Sequence, residues 1–83
     1  MKILYFAWVR QKIGKSEEDL PLPLRVSTIA DLVDVLRGRG GGYAEAFADE
    51  RQIRAARNQE HVGFRTKLSN TDEVAFFPPV TGG

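Results

Sequence analysis

Thr28-Ile29-Ala30-Asp31-Leu32-Val33-Asp34-Val35-Leu36-Arg37 is the stretch on which the fold turns. Ile29, Leu32, Val33 and Leu36 fall at i, i+3, i+4 and i+7, so one apolar stripe runs down a helix of 3.6 residues per turn. Thr28 stands where a helix N-cap belongs. Asp31, three residues on, supplies a shorter version of the capping box. Gly38 and Gly40-Gly41-Gly42 stop the helix. The flanking segments must provide an apolar surface for this stripe to cover.

Residues 2–9 are predicted to be a strand with both parities apolar: Ile3, Tyr5, Ala7 and Val9 on one face, Leu4, Phe6 and Trp8 on the other. A charged loop follows through Gly14 and Glu17-Glu18-Asp19. Leu20, Leu22, Leu24 and Val26 then alternate with Pro21, Pro23 and Arg25, a period of two that predicts a second strand. Prolines cannot donate to a ladder, so that strand is expected at a sheet edge, joined to the first as a hairpin. Beyond the helix, Tyr43 to Ala48 read as a short helical turn. Ile53 to Arg57 and Val62 to Arg65 read as a hairpin around Asn58-Gln59-Glu60. Ser69 to Asp72 form a turn, and Glu73 to Phe77 the last strand. The fold class is α+β, a mixed sheet packed on one main helix.

One helix covers one sheet face. The stripe is expected to take Ile3, Tyr5, Ala7, Val9, Val74 and Phe76. Leu4, Phe6, Trp8 and Phe77 are left on the opposite face as an apolar patch, and such patches mark partner surfaces.

After Phe77 the chain reads Pro78-Pro79-Val80-Thr81-Gly82-Gly83. We expect a domain over residues 1–77 and an exposed tail over 78–83. Two prolines bias the exit toward an extended path, and six extended residues reach roughly 20 Å. Gly82 and Gly83 can thread where any Cβ would clash. What such a tail delivers is its own α-carboxylate.

Composition removes other function classes. Twelve basic and eleven acidic residues give a net charge of +1 with no block of either sign, which speaks against nucleic acid or an acidic membrane as partner. With no cysteine, disulfides, thiolate metal sites and cysteine nucleophiles are excluded. Ile3 to Val9 is too short to span a bilayer and runs into Arg10-Gln11-Lys12 without a cleavage site, so a cytoplasmic chain is expected. His61 is the sole histidine and lacks an evident acid, base or nucleophile partner, so a structural or interface role is expected. The segment Gly38-Arg39-Gly40-Gly41-Gly42 follows a helix and lacks the lysine and hydroxyl of a phosphate loop, and is expected to be a flexible connection. Arg51, Arg54, Arg57 and Arg65 read as a solvated basic stripe or a match for an acidic groove. Asp31 and Asp34 make no metal site without further carboxylates.

The order of elements resembles the ubiquitin-like β-grasp fold, and the end Val74 to Gly83 is similar to that of the small subunits of molybdopterin synthase. Ile3-Leu4-Tyr5-Phe6-Ala7, Thr28 with its helix stripe, Asn58-Gln59 and Asp72-Glu73 extend the resemblance along the chain. It implies a sulfur carrier that catalyses nothing alone. An E1-like enzyme uses ATP to adenylate the terminal glycine, here Gly83, and a sulfur donor converts it to a thiocarboxylate. The tail, here Pro78, Pro79, Val80, Thr81 and Gly82, threads into a large subunit, in a complex of two small and two large chains. Phe6 and Phe77 fall on the family's docking face, together with His61, at a position where the resemblance implies an apolar residue. No bound cofactor and no metal are implied. A carrier for thiamine-type biosynthesis, a protein modifier and a non-covalent binding module are the alternatives.

Overall fold

In the computed structural model, which describes residues 1–79, the chain runs β1 (Lys2–Tyr5), α1 (Ala7–Ile13), β2 (Glu17–Asp19), α2 (Ile29–Arg37) and α3 (Gly41–Ala46). A single 3-10 turn (Glu50–Gln52), β3 (Arg54–Arg57), β4 (Glu60–Val62) and β5 (Glu73–Phe77) complete it. The strands form one sheet in the order β2-β1-β5-β3-β4. β1 and β5 pair in parallel and the other neighbours antiparallel, so the last strand lies at the centre of a mixed sheet.

The amphipathic stretch forms α2, and its cap is the one the sequence asks for. The Asp31 N–H donates to Thr28 Oγ1 at 3.2 Å, and the Thr28 N–H donates to Asp31 Oδ2 at 3.1 Å. Backbone N–H groups of Ser27 and Thr28 hold the Asp31 carboxyl below the usual carboxylate range. The next orphan donors of the helix, Ile29 N–H and Ala30 N–H, reach the carbonyls of Thr66 and Phe64 at 3.0 and 2.9 Å. Ile29, Leu32, Val33 and Leu36 are all fully buried. They pack with Ile3, Tyr5, Phe47, Ile53, Val74 and Phe76 into one core, each large side chain contributing about 1.5–3 kcal/mol of burial. Phe47 meets Phe76 edge to face at 5.0 Å between ring centroids.

The first apolar run departs from expectation. The strand stops at Tyr5 rather than Val9, because Ala7 takes a φ of 54° and swings the chain out of the sheet into α1. Ala7 is exposed, so it does not lie under the stripe, whereas Val9 is fully buried but reaches the core from a helix. Trp8 also rides on α1, half-buried against the core. α1 ends where Gly14 adopts a φ of 89° and donates to the Arg10 carbonyl at 2.8 Å.

The proline-flanked alternation is not a strand. β2 lies earlier, within the expected charged loop, and is joined to β1 through α1 rather than by a hairpin. Pro21 and Pro23 remove two donors from the 20–26 run. The remaining groups find single partners instead of a ladder: Leu20 N–H to the Met1 carbonyl at 2.9 Å and Leu22 N–H to Asn70 Oδ1 at 2.8 Å. Leu20 and Leu22 pack on the core margin while Leu24 is fully exposed.

The β3–β4 hairpin is present, with Asn58 and Gln59 both at positive φ (51° and 73°), the backbone of a two-residue primed turn. β4 comes two residues earlier than the sequence predicts. The glycine segment is more than a flexible connection. Gly42 lies against the end of α1, where a methyl group would overlap the Lys12 carbonyl oxygen. Among the described residues no helix is long and apolar enough to cross a membrane.

Candidate functional site

The sheet has an inner face, covered by α2, and an outer face without a helix. Register builds the outer face directly. Leu4 pairs with Ala75, Ala75 with Ala56, and Ala56 with His61, a row that crosses four strands. Phe77 stands two residues beyond Ala75 on the same face and opposite Arg54. The rings of His61 and Phe77 lie 5.0 Å apart, tilted by 47°. Leu4, Ala75 and Phe77 are half-buried, and Phe6 is 47% exposed. Phe6 leaves β1 with its N–H donating to the Phe76 carbonyl at 3.1 Å, which keeps it next to the end of β5. Two alanines between Leu4 and His61 leave the middle of the row shallow, bounded by larger side chains. The result is a shallow, partly exposed apolar surface with an aromatic edge.

Charges rim this surface. Lys2 pairs with Glu73 across β1 and β5, and its ammonium meets Glu17 at 3.4 Å. The patch lies where the tail begins, since Phe77 is both its aromatic edge and the last strand residue. Pro78 and Pro79 follow, half-buried and outside the ladder. Val80, Thr81, Gly82 and Gly83, with the threading and acyl-carrier roles expected of them, lie outside the described residues.

The structure therefore gathers Leu4, Phe6, His61 and Phe77 and does not bring Trp8 to them. Nothing local in the sequence shows the His61–Phe77 contact; only the hairpin register reveals it. The basic stripe dissolves. Arg54 shares a face with Phe77 while Arg57 shares one with Val74. Arg51 is held by Asp49 at 3.0 Å, and Arg57 donates to the Lys67 carbonyl at 2.9 Å. Asp31 completes the capping box with Thr28, and Asp34 pairs with Arg37 at 3.2 Å. Among the described residues no three potential metal ligands cluster.

One polar centre was hidden from sequence reading. Glu18 of β2 accepts from Tyr5 Oη at 2.8 Å, Tyr43 Oη at 2.6 Å and Arg39 Nη1 at 2.7 Å, with Lys15 Nζ at 4.0 Å. Burial acts to raise the Glu18 pKa, but hydrogen bonds from Arg39, Tyr43 and Tyr5 outweigh it and hold the carboxyl below the usual range. The Tyr5 phenol is pushed up, first by burial and then by its bond to Glu18. Arg39 also lies over the Tyr43 ring, 4.9 Å from its centroid. These groups satisfy one another and tie β2 to α3. The centre is structural.

The ThiS family profile matches residues 3–83, nearly the whole chain. The chain belongs to the ThiS family. The molybdopterin synthase sulfur carrier subunit of Escherichia coli K12 is 37% identical to this ThiS-family chain over 83 residues, covering 100% of this chain and 99% of the relative. Among solved structures, a putative molybdopterin converting factor subunit 1 from Pyrococcus furiosus is similar with a TM-score of 0.74 and 32% identity, 95% of each chain being covered. The small archaeal modifier protein 1 of Methanosarcina acetivorans is similar with a TM-score of 0.70 and 26% identity, covering 99% of this chain and 94% of that one. The expected ubiquitin-like β-grasp architecture is the one observed.

Proposed function

We propose that this ThiS-family chain is the sulfur carrier subunit of a molybdopterin synthase. The end-to-end match to a relative of that name carries the reading. The outer sheet face supports it, because an apolar docking surface at the root of a slender tail is what a carrier needs. Leu4, Phe6, His61 and Phe77 dock on a large subunit, while Pro78 to Gly82 lead the chain into its active site. Trp8, from its place on α1, supports the fold beneath.

The chemistry follows from the carboxylate. Attack on the Gly83 carboxylate is slow because an oxide is a poor leaving group. An E1-like partner cures this by joining the carboxylate oxygen to the α-phosphate of ATP, releasing pyrophosphate. A sulfur donor then displaces AMP and leaves a terminal thiocarboxylate. Within the large subunit that sulfur passes to the pterin precursor and water restores the carboxylate. The chain binds no cofactor of its own, and the assembly is two small and two large subunits working in the cytoplasm.

Removing Gly83 tests the reading. Sulfur transfer in a reconstituted synthase is expected to vanish while the thermal midpoint of the carrier barely moves. Retained transfer would sink the acyl-carrier role. A second reading, attachment to target lysines, is favoured by the modifier name of the Methanosarcina relative. It shares the adenylate and differs in its product: isopeptide-linked conjugates rather than a thiocarboxylate mass.

A further inference from the structure

A groove opens on the other side of the sheet, between the Glu50–Gln52 turn and β4, with a cavity volume of about 340 Å³. Its floor is apolar. Ile53 and Ala55 are buried, and Val62 and Phe64 are half-buried against the core. Register places Ala55 and Val62 with Phe76, so this floor belongs to the inner face beyond the reach of α2. It is not the docking surface described above.

The rim carries charge. Glu50 is engaged by Arg37 at 3.2 Å and Arg51 by Asp49 at 3.0 Å. Arg54 springs from the outer face of β3, opposite Phe77, but its guanidinium turns back along the chain to the groove's rim. There it donates to the carbonyl oxygens of Arg51 and Ile53, at 3.1 and 3.0 Å, and meets no carboxylate among the described residues. Among the described residues, the rim is thus left with one cation that lacks a counter-ion. Beside it, β4 is the outermost strand of the sheet, so its far main-chain edge has no neighbouring strand. Gly63, the next residue, has open space where a side chain would stand.

An apolar floor, an uncompensated arginine and a free strand edge together select a ligand class. A cavity of this size lies at the small end of ligand pockets and suits a side chain or two. An edge strand adds main-chain hydrogen bonds to an extended segment, with alternate side chains entering the pocket. We propose that this groove binds a short extended peptide segment of a partner protein, which sets an apolar side chain on Ile53, Val62 and Phe64 and a carboxylate on Arg54. The proposal does not depend on sulfur transfer, so it stands or falls apart from the carrier reading.

The test is an NMR titration of the full chain, labelled with nitrogen-15, against the peptide acetyl-Asp-Leu-Glu-Leu-Asp-amide. Two control peptides replace the acids by lysine or the leucines by serine. We expect saturable shifts at Ile53 to Ala55 and Val62 to Phe64, and slowed hydrogen exchange along β4. Both controls should bind at least about tenfold more weakly, and affinity should fall between about 50 and about 300 mM salt. Arg54→Glu should remove binding of the acidic peptide, and Phe64→Ala should weaken it while leaving the serine control's residual binding unchanged. Should Phe64→Ala fail to fold, the surface substitution at Arg54 decides alone. No saturable shift at millimolar peptide, equal binding of the lysine peptide, or shifts confined to Leu4, Ala75 and Phe77 would each overturn the proposal.

Discussion

Ile3 and Leu4 are neighbours of almost equal hydrophobicity, as are Phe76 and Phe77, yet the first of each pair is fully buried and the second only half so. The two faces of the central strands are built from the same residue types. They differ in what lies over them. Inside, α2 and the aromatic rings of Phe47 and Tyr43 close the core. Outside, nothing in the described chain covers Leu4, Ala75 and Phe77. Where both parities of a strand are apolar and only one is covered within the described chain, the uncovered face is the one on which the proposed docking rests.

The largest expected effect breaks the pair apart. Phe76→Ala should destabilise the free protein by about 3–5 kcal/mol, while Phe77→Ala should cost less than about 1.5 kcal/mol in the same urea titration. Against the large subunit the order reverses, with Phe77→Ala weakening association by about 1–3 kcal/mol in calorimetry. Equal urea midpoints for the two variants would abolish the distinction between faces.

A smaller effect sharpens what covers the inner side. Gly42→Ala places a methyl group on the Lys12 carbonyl, so α1 and α3 must part. Loss of about 1–3 kcal/mol is expected by chemical denaturation, with docking to the large subunit unchanged once the folded fraction is matched. An unaltered midpoint would show that this joint has slack.

The smallest effect concerns a polar group buried on the inner face, Tyr5, whose hydroxyl ends on Glu18. Glu18→Gln should cost about 1–2 kcal/mol at neutral pH. The sign with pH follows from linkage. The folded-state pKa lies below the ordinary carboxylate value, so the stabilisation is complete above that ordinary value and drains away as pH falls through the folded pKa. The gap between the two proteins should narrow in acid and stay constant toward neutrality. A gap that widens in acid would contradict the assignment of charge to this centre.

Helix α2, its cap, the β3–β4 turn and β5 were legible because each is coded locally: a 3.6 period, a Thr-x-x-Asp box, two residues able to take positive φ, an apolar strand after a polar turn. α1 was not. Its N-cap Phe6 offers no side-chain bond, and Ala7 adopts a conformation that only its tertiary setting enforces, so an apolar run of seven looked like one long strand. The 20–26 run misled for the opposite reason. Its period of two is real, but with Pro21 and Pro23 it lacks donors to pair, and the acidic β2 takes the edge in its place. Of the candidate site, Leu4, Phe6 and Phe77 could be placed by alternation and His61 by resemblance, whereas Ala75 and Ala56, which join Leu4 to His61 in one row, needed the register. The Glu18 centre joins residues 5, 18, 39 and 43 from separate elements, and no sequence spacing announces such a meeting.

The position of β5 governs how this molecule is made. It alone joins the β2–β1 pair to the β3–β4 hairpin, and it is the last strand to leave the ribosome. Its parallel contact with β1 closes a loop of some seventy residues, the kind of distant pairing that sets a slow folding step. A chain cut short before Glu73 is left as two unconnected sheet fragments, an outcome that exposes apolar surface to proteases. A copy able to complete its sheet has therefore been synthesised at least through β5, the root of its tail.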